Sequence, residues 1–363
     1  MDVQNYLVTL GIRPAELSGL KELPGCTKDK LTPLVLLAPW LATTPLSRAL
    51  DKFEESFPSR PYFIDIDTYY QKNEKDNEAK QTWKKLADTP ADLDTWWSIL
   101  SPYPNANPCL LLANQSFDAI QKQIKWARIN NRIFCLRFNL AEGIGSGFPD
   151  CMNELVKFLL DEGAKDYVIV FEFGWVQNPL HITSSAAGFI SGFFQDFSPE
   201  IPITVSCTSF PKDFTRFNTG TSIEEFTNRK LISEIRKNTN HPKIIYSDWG
   251  TTRPRSYQGG GTPKNRIDFP TENSWIIARE GDHNESFHEL AKNITTNSKW
   301  LGNLGIWGEQ LIEATAEGQK FAINTIPKMI AARINIHLHV QAFYEAEFPS
   351  PEALDEEWDD SNF

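Results

Sequence analysis

Short apolar segments rich in Val, Ile, Leu and Phe recur along this chain, each bounded by Pro, Gly or Asn and mostly followed by a stretch with helical spacing. That alternation constrains the fold more than any other feature. The segments cover 32–39 (TPLVLLAP), 61–67 (PYFIDID), 108–114 (PCLLLAN), 132–139 (RIFCLRFN), 166–174 (DYVIVFEFG), 203–209 (ITVSCTS), 243–250 (KIIYSDWG) and 274–280 (SWIIARE). Most are continuous apolar runs, as expected of parallel strands covered on both faces. Between them, 116–130 places Phe117, Ile120, Ile124 and Ala127 on one stripe behind a Ser116 N-cap, and 150–162 ends at Gly163, a natural helix stop. Residues 222–237 carry Ser222 three positions before Glu225, a capping-box pattern. Short helices are expected over 291–297 and 308–316, and a long amphipathic one over 326–347.

Eight strands alternating with helices are what a (β/α)8 TIM-barrel-like domain needs, with a doubly wound open sheet as the competitor. The barrel is the expected fold, over residues 1–348. The polar stretch 68–107 is too long for one crossover and reads as an insertion after the second strand. Residues 250–270 hold the Gly259–Gly261 triplet and read as a mobile loop over one end of the barrel. The acidic tail, 349–363, is expected to be disordered.

Composition narrows the class. Hydrophobic residues make up 40% and charged residues 23%, enough apolar surface for a core. No apolar run reaches the length of a membrane span, and the start lacks a basic region before an apolar core, so a cytoplasmic, non-membrane protein is expected. A net charge of -11 works against nonspecific duplex binding. The five cysteines are scattered without a CxxC, which fits a reducing compartment, and Cys109, Cys135 and Cys207 lie inside apolar runs as buried thiols. His337 and His339, two apart on a helix, face different ways, which disfavours joint chelation of a metal.

In a parallel barrel, chemistry gathers at the C-terminal ends of the strands. The polar residues expected there are Asp65, Asp67, Arg137, Glu172, Asp248 and Arg279. Carboxylates inside apolar strands must be neutralised, so Asp65, Glu172 and Asp248 are expected to meet Arg137 and Arg279. One reading is a structural ion network. The other is a site in which Asp65, Glu172 or Asp248 acts as acid or base while Asp67, Arg137, Arg253, Arg255 and Arg279 bind an anionic, phosphate- or carboxylate-bearing small molecule. Asp65 and Asp67 form a DxD that could hold Mg²⁺, a short and unspecific pattern, so metal use stays open. No P-loop, GxGxxG, GxSxG or HExxH occurs.

Several segments, taken in order, resemble the beta family of phages and bacteria. KDKLTPLVLLAP resembles the family's opening strand, RPYFIDID its second, and FCLRFN its arginine-bearing strand. DYVIVFEFG resembles a segment that more often ends in aspartate, where this chain has Glu172. TVSCTSFP, a helix with Arg229, and IIYSDWGTTRPR are similar to an SxP…GDYG region, with SDWG keeping Asp248, Trp249 and Gly250. SWIIARE, IWGEQLI (with Glu309 in place of aspartate) and HLHV resemble the closing segments. The resemblance spans roughly residues 28–345. It implies the barrel and its candidate positions, and a phage-related setting, but no particular reaction. It leaves three readings: hydrolysis or transfer on an anionic small molecule; a noncatalytic phage-defence or counter-defence component meeting a protein partner through its tail and C-terminal helix; and nucleic-acid binding through Arg253, Arg255, Lys264 and Arg266.

Overall fold

The structure, a computed structural model, describes residues 3–41, 45–70, 77–88, 91–141, 143, 147–214, 216–217, 220–255, 264–281 and 286–355. Its strands are β1 (Tyr6–Gly11), β2 (Leu31–Leu37), β3 (Tyr62–Ile66), β4 (Ala106–Pro108), β5 (Phe134–Asn139), β6 (Tyr167–Trp175), β7 (Ile203–Thr208), β8 (Gly220–Glu225), β9 (Ile244–Asp248), β10 (Arg266–Pro270) and β11 (Ser274–Arg279). Eight of them form one parallel sheet in the order β4-β3-β2-β1-β9-β7-β6-β5. Its two free edges meet at a parallel bridge between Cys109 and Cys135, where the Leu110 amide donates to Cys135 O at 2.9 Å. That contact closes the sheet into the expected (β/α)8-type barrel. Among the described residues no helix is long and apolar enough to cross a membrane.

Strand alternation sorts the side chains. Leu7, Leu34, Leu36, Phe63, Cys109, Cys135, Val168, Val170, Ile245 and Trp249 form a buried cluster of their own inside the barrel. The other faces of the strands join the main core with the surrounding helices.

Seven of the expected strands belong to this barrel. The eighth does not: β11 is the middle strand of a separate antiparallel sheet, β10-β11-β8. The barrel strand missing from the expectation is β1, between β2 and β9. β11 resembles a barrel strand because both its faces are buried. Trp275 and Ile277 pack with Phe210, Phe217 and Phe226, while Ile276 and Ala278 join Ile267, Phe269 and the C-terminal helices. The Ser222–Glu225 capping box is also overturned. Those residues lie in β8, whose side chains alternate in exposure, and the helix begins later, at Asn228–Asn238. A capping box does occur at Ser286 and Glu289, starting helix Phe287–Thr295.

The expected third strand, 108–114, is displaced: β4 covers Ala106–Pro108 and stops early. After Cys109 the chain leaves its neighbours, and the Gln123 side chain replaces the ladder, accepting from Leu111 N at 2.8 Å and donating to Leu111 O at 3.0 Å. The stretch expected to be an insertion carries helices Glu78–Ala87 and Leu93–Leu100. Pro351–Asp355, expected within a disordered tail, is a short helix with Leu354 buried in the second core; 356–363 and the glycine triplet lie outside the described residues.

Helix Ile326–Ala342 is buried on both sides rather than amphipathic. Ile334 and Leu338 join the main core, whereas Met329, Ala332, Ile336 and Val340 join the core of the accessory sheet. Its neighbours approach at glycines. A Cβ on Gly19 would sit 2.6 Å from Ala331 O, and one on Gly308 2.5 Å from Ala332 O. Asn335 ties both together, donating to Gly19 O at 3.0 Å and accepting from Gly308 N at 2.9 Å.

Candidate ligand site at the barrel mouth

Two residues along from the barrel's inner layer, several of the strands present a polar inward side chain. Thr9 follows Leu7, Asp65 follows Phe63, Arg137 follows Cys135, Glu172 follows Val170 and Ser206 follows Thr204. Arg137 Nη1 donates to Asp65 Oδ2 at 2.9 Å. The Arg137 side chain is 3% exposed, and its Nε and Nη2 have no hydrogen-bond partner among the described residues. Burial alone would lower its basicity; Asp65 and Glu172 outweigh that and hold it charged.

Glu172 is fully buried. Its Oε1 accepts from Gly174 N at 2.7 Å and from Trp249 Nε1 at 2.9 Å, and Thr9, bonded in turn to Ser206, reaches Oε2 at 3.4 Å. Burial pushes the Glu172 carboxyl above its ordinary range, and the Arg137 charge and these donors offset only part of the rise. The mouth thus holds a charged cation with two buried donors unpaired among the described residues, beside a carboxyl whose pKa is raised. Beside Arg137 lies a cavity of about 350 Å³, lined by Asp65, Arg137, Asn139, Phe148 and the Leu110–Asn114 stretch that leaves the sheet after β4.

The rim beside it is rich in arginine. Arg255 Nε donates to Asp67 Oδ2 at 2.6 Å, and Arg13 pairs with Glu16 while bonding Arg253 O. Burial raises the Asp67 carboxyl more than Arg255 and Arg13 lower it. Asp65 and Asp67 are therefore each committed to a guanidinium. Among the described residues no three His, Cys, Asp or Glu side chains converge as a metal cluster.

Two expected members stand elsewhere. Asp248 shares the face of Tyr246, not of Ile245 and Trp249, so it points out of the barrel towards helix Ile326–Ala342. There it accepts from Tyr6 Oη and Tyr246 Oη, each at 2.7 Å, and from Gly250 N at 2.9 Å, and it pairs with His337 Nε2 at 2.7 Å. Burial would raise its pKa, but His337 and these donors hold it down at about 2. Arg279 lies in the accessory sheet opposite Arg266, its Nη1 donating to Phe217 O at 3.1 Å. His339, as expected, faces away from His337 and meets Thr27 Oγ1 at 2.8 Å.

Sequence reasoning also passed over Arg13, Thr9, Asp268 and Arg333. Thr9 and Arg13 were hidden with β1. Arg333 lies in the middle of the long helix, with no strand-end signal to mark it.

Fold and site together define a closed parallel barrel with a polar, arginine-bearing mouth and an antiparallel accessory sheet. The chain belongs to the Beta protein family, whose model matches residues 6–343, from the first barrel strand to just past the long helix. It is 25% identical over 347 residues to a protein of Enterobacteria phage P4 described as "Protein beta", covering 93% of this chain and 92% of that one.

Proposed function

We propose that the barrel mouth binds an anionic small molecule, carboxylate- or phosphate-bearing, at Arg137, with Glu172 placed to donate or accept a proton. One observation carries this reading: a buried guanidinium that spends one donor on Asp65 and leaves Nε and Nη2 open among the described residues, on the wall of a cavity of about 350 Å³. Buried charged donors without acceptors are costly, and a bidentate anion relieves that cost. The volume lies at the small end of ligand pockets. Hydrolysis or transfer at the bound anion is the reaction class that a raised carboxyl beside an arginine supports best.

Thermal unfolding of the full chain against inorganic phosphate, dicarboxylates and sugar monophosphates tests it. A ligand at ~100 times its dissociation constant adds about 2.7 kcal/mol and moves the midpoint visibly. The shift is expected to vanish in Arg137→Met. A shift that survives in Arg137→Met, or none across the panel, overturns this reading in favour of a scaffold for a protein partner.

A further inference from the structure

We propose a second anion site, centred on Arg253 and suited to a diphosphate-bearing small molecule, where the accessory sheet and the long helix meet the barrel rim. It shares no residue with the cavity at Arg137. Five arginines from separate parts of the chain gather there: Arg13 after β1, Arg253 and Arg255 after β9, Arg266 on β10 and Arg333 on helix Ile326–Ala342. Their carboxylate partners are three. Glu16 takes Arg13, Asp67 takes Arg255, and Asp268 is shared, its Oδ1 accepting from Arg266 Nε at 2.7 Å and its Oδ2 from Arg333 Nη1 at 2.6 Å. The side chain of Arg253 has no carboxylate among the described residues.

Hydrogen bonds tie these groups to one short loop. Arg13 reaches Arg253 O at 3.3 and 3.4 Å, Arg333 Nε donates to Thr251 Oγ1 at 3.3 Å, and Arg255 Nη2 donates to Ile12 O at 3.3 Å. Three of the guanidiniums lie over aromatic rings, Arg266 at 3.4 Å from the centre of Phe214, Arg333 at 4.2 Å from that of Phe210 and Arg255 at 5.5 Å from that of Tyr70, which restrains their planes. Crowding of like charge is felt: Arg253 is depressed by burial and then by Arg266 and Arg13, and Arg333 is pulled down to about 10 by burial, with Arg266 and Arg253 adding to it. The side chains of Arg13, Arg255 and Arg266 are 27%, 20% and 17% exposed, so the group can be reached from solvent.

A chain of net charge -11 that sets five arginines against three carboxylates at one point, among the described residues, has the electrostatics of an anion receptor. A single carboxylate offers two oxygens, suited to one bidentate arginine. A diphosphate presents oxygens in several directions and can take donors from several guanidinium planes at once.

The test is isothermal titration of the full chain with inorganic pyrophosphate. Binding is expected in the wild type, weakened at least tenfold, about 1.4 kcal/mol, in Arg253→Ala, and only partly retained in Arg253→Lys, which keeps the charge without the planar fork. Arg137→Met should bind pyrophosphate as the wild type does. Among the described residues Arg253 bonds only through its main chain, so Arg253→Ala should keep the wild-type circular dichroism spectrum. No binding at millimolar pyrophosphate, equal binding by Arg253→Ala, or loss of binding in Arg137→Met would each overturn the proposal, the last by moving the anion to the other cavity.

Discussion

Glu172 and Asp248 are both buried carboxylates near the C-terminal ends of barrel strands, yet one faces into the barrel and the other out of it, and their surroundings are opposite. Asp248 collects two tyrosine hydroxyls, a backbone amide and His337, enough to keep it ionised down to about pH 2. Glu172 has donors too, but burial prevails and its carboxyl is raised. Beside it Arg137 keeps donors unpaired among the described residues. Buried polar groups whose needs are met hold a structure together, and those left short are what a ligand can use. Asp248 clamps the long helix to the barrel wall, whereas the inward layer is the functional candidate.

The sharpest way to break this contrast is Asp248→Ala, which strands His337 and two hydroxyls in the interior. It should cost about 3–5 kcal/mol in urea unfolding; a loss below about 1 kcal/mol would show that the clamp is ornamental. The pH dependence follows in size. Because the folded-state pKa of Asp248 lies below its unfolded value, its contribution is present above about pH 4 and disappears as pH falls towards 2, a loss of roughly 2 kcal/mol. Chemical denaturation at successive pH values should show this slope in the wild type and not in Asp248→Asn. Tyr6→Phe removes one of the four donors and should cost about 1–2 kcal/mol by the same measurement; no change would mean that the remaining three suffice.

The smallest effect is expected at Glu172. Its pKa is raised, so the sign reverses: its contribution is most favourable below about pH 4.3, the unfolded value, and declines as pH rises from there to the folded value. Glu172→Gln should leave stability at neutral pH within about 1 kcal/mol of the wild type while removing that decline. A loss as large as that of Asp248→Ala would erase the distinction between the two carboxylates.

Much of the barrel was legible because a strand covered on both faces must be apolar throughout, which seven of the segments show. The same rule misled at Ser274–Arg279, where a sheet and a helical layer bury both faces of an antiparallel strand and produce the same run. Alternation within β3 puts Asp65 on the face of Phe63, while Asp67 lies beyond the strand and meets Arg255 on the rim. Applied to β9, it would have turned Asp248 away from the mouth, since Ile245 and Trp249 are the inward residues there. Arg13 and Arg333 were not legible as site residues, because their roles depend on which loop and helix pack beside β9, and that is decided by tertiary contacts.

Barrel closure also bears on how the chain is made. β1 pairs with β2 soon after both exist, but its other edge waits for β9, and the bond from Tyr6 to Asp248 spans 242 positions. At synthesis rates of about 5–20 residues per second, that edge stays open for roughly 10 to 50 s on the ribosome. An unpaired strand edge is a template for another chain. During translation β1 is therefore the barrel strand whose edge stays unpaired longest, and slower elongation lengthens that exposure.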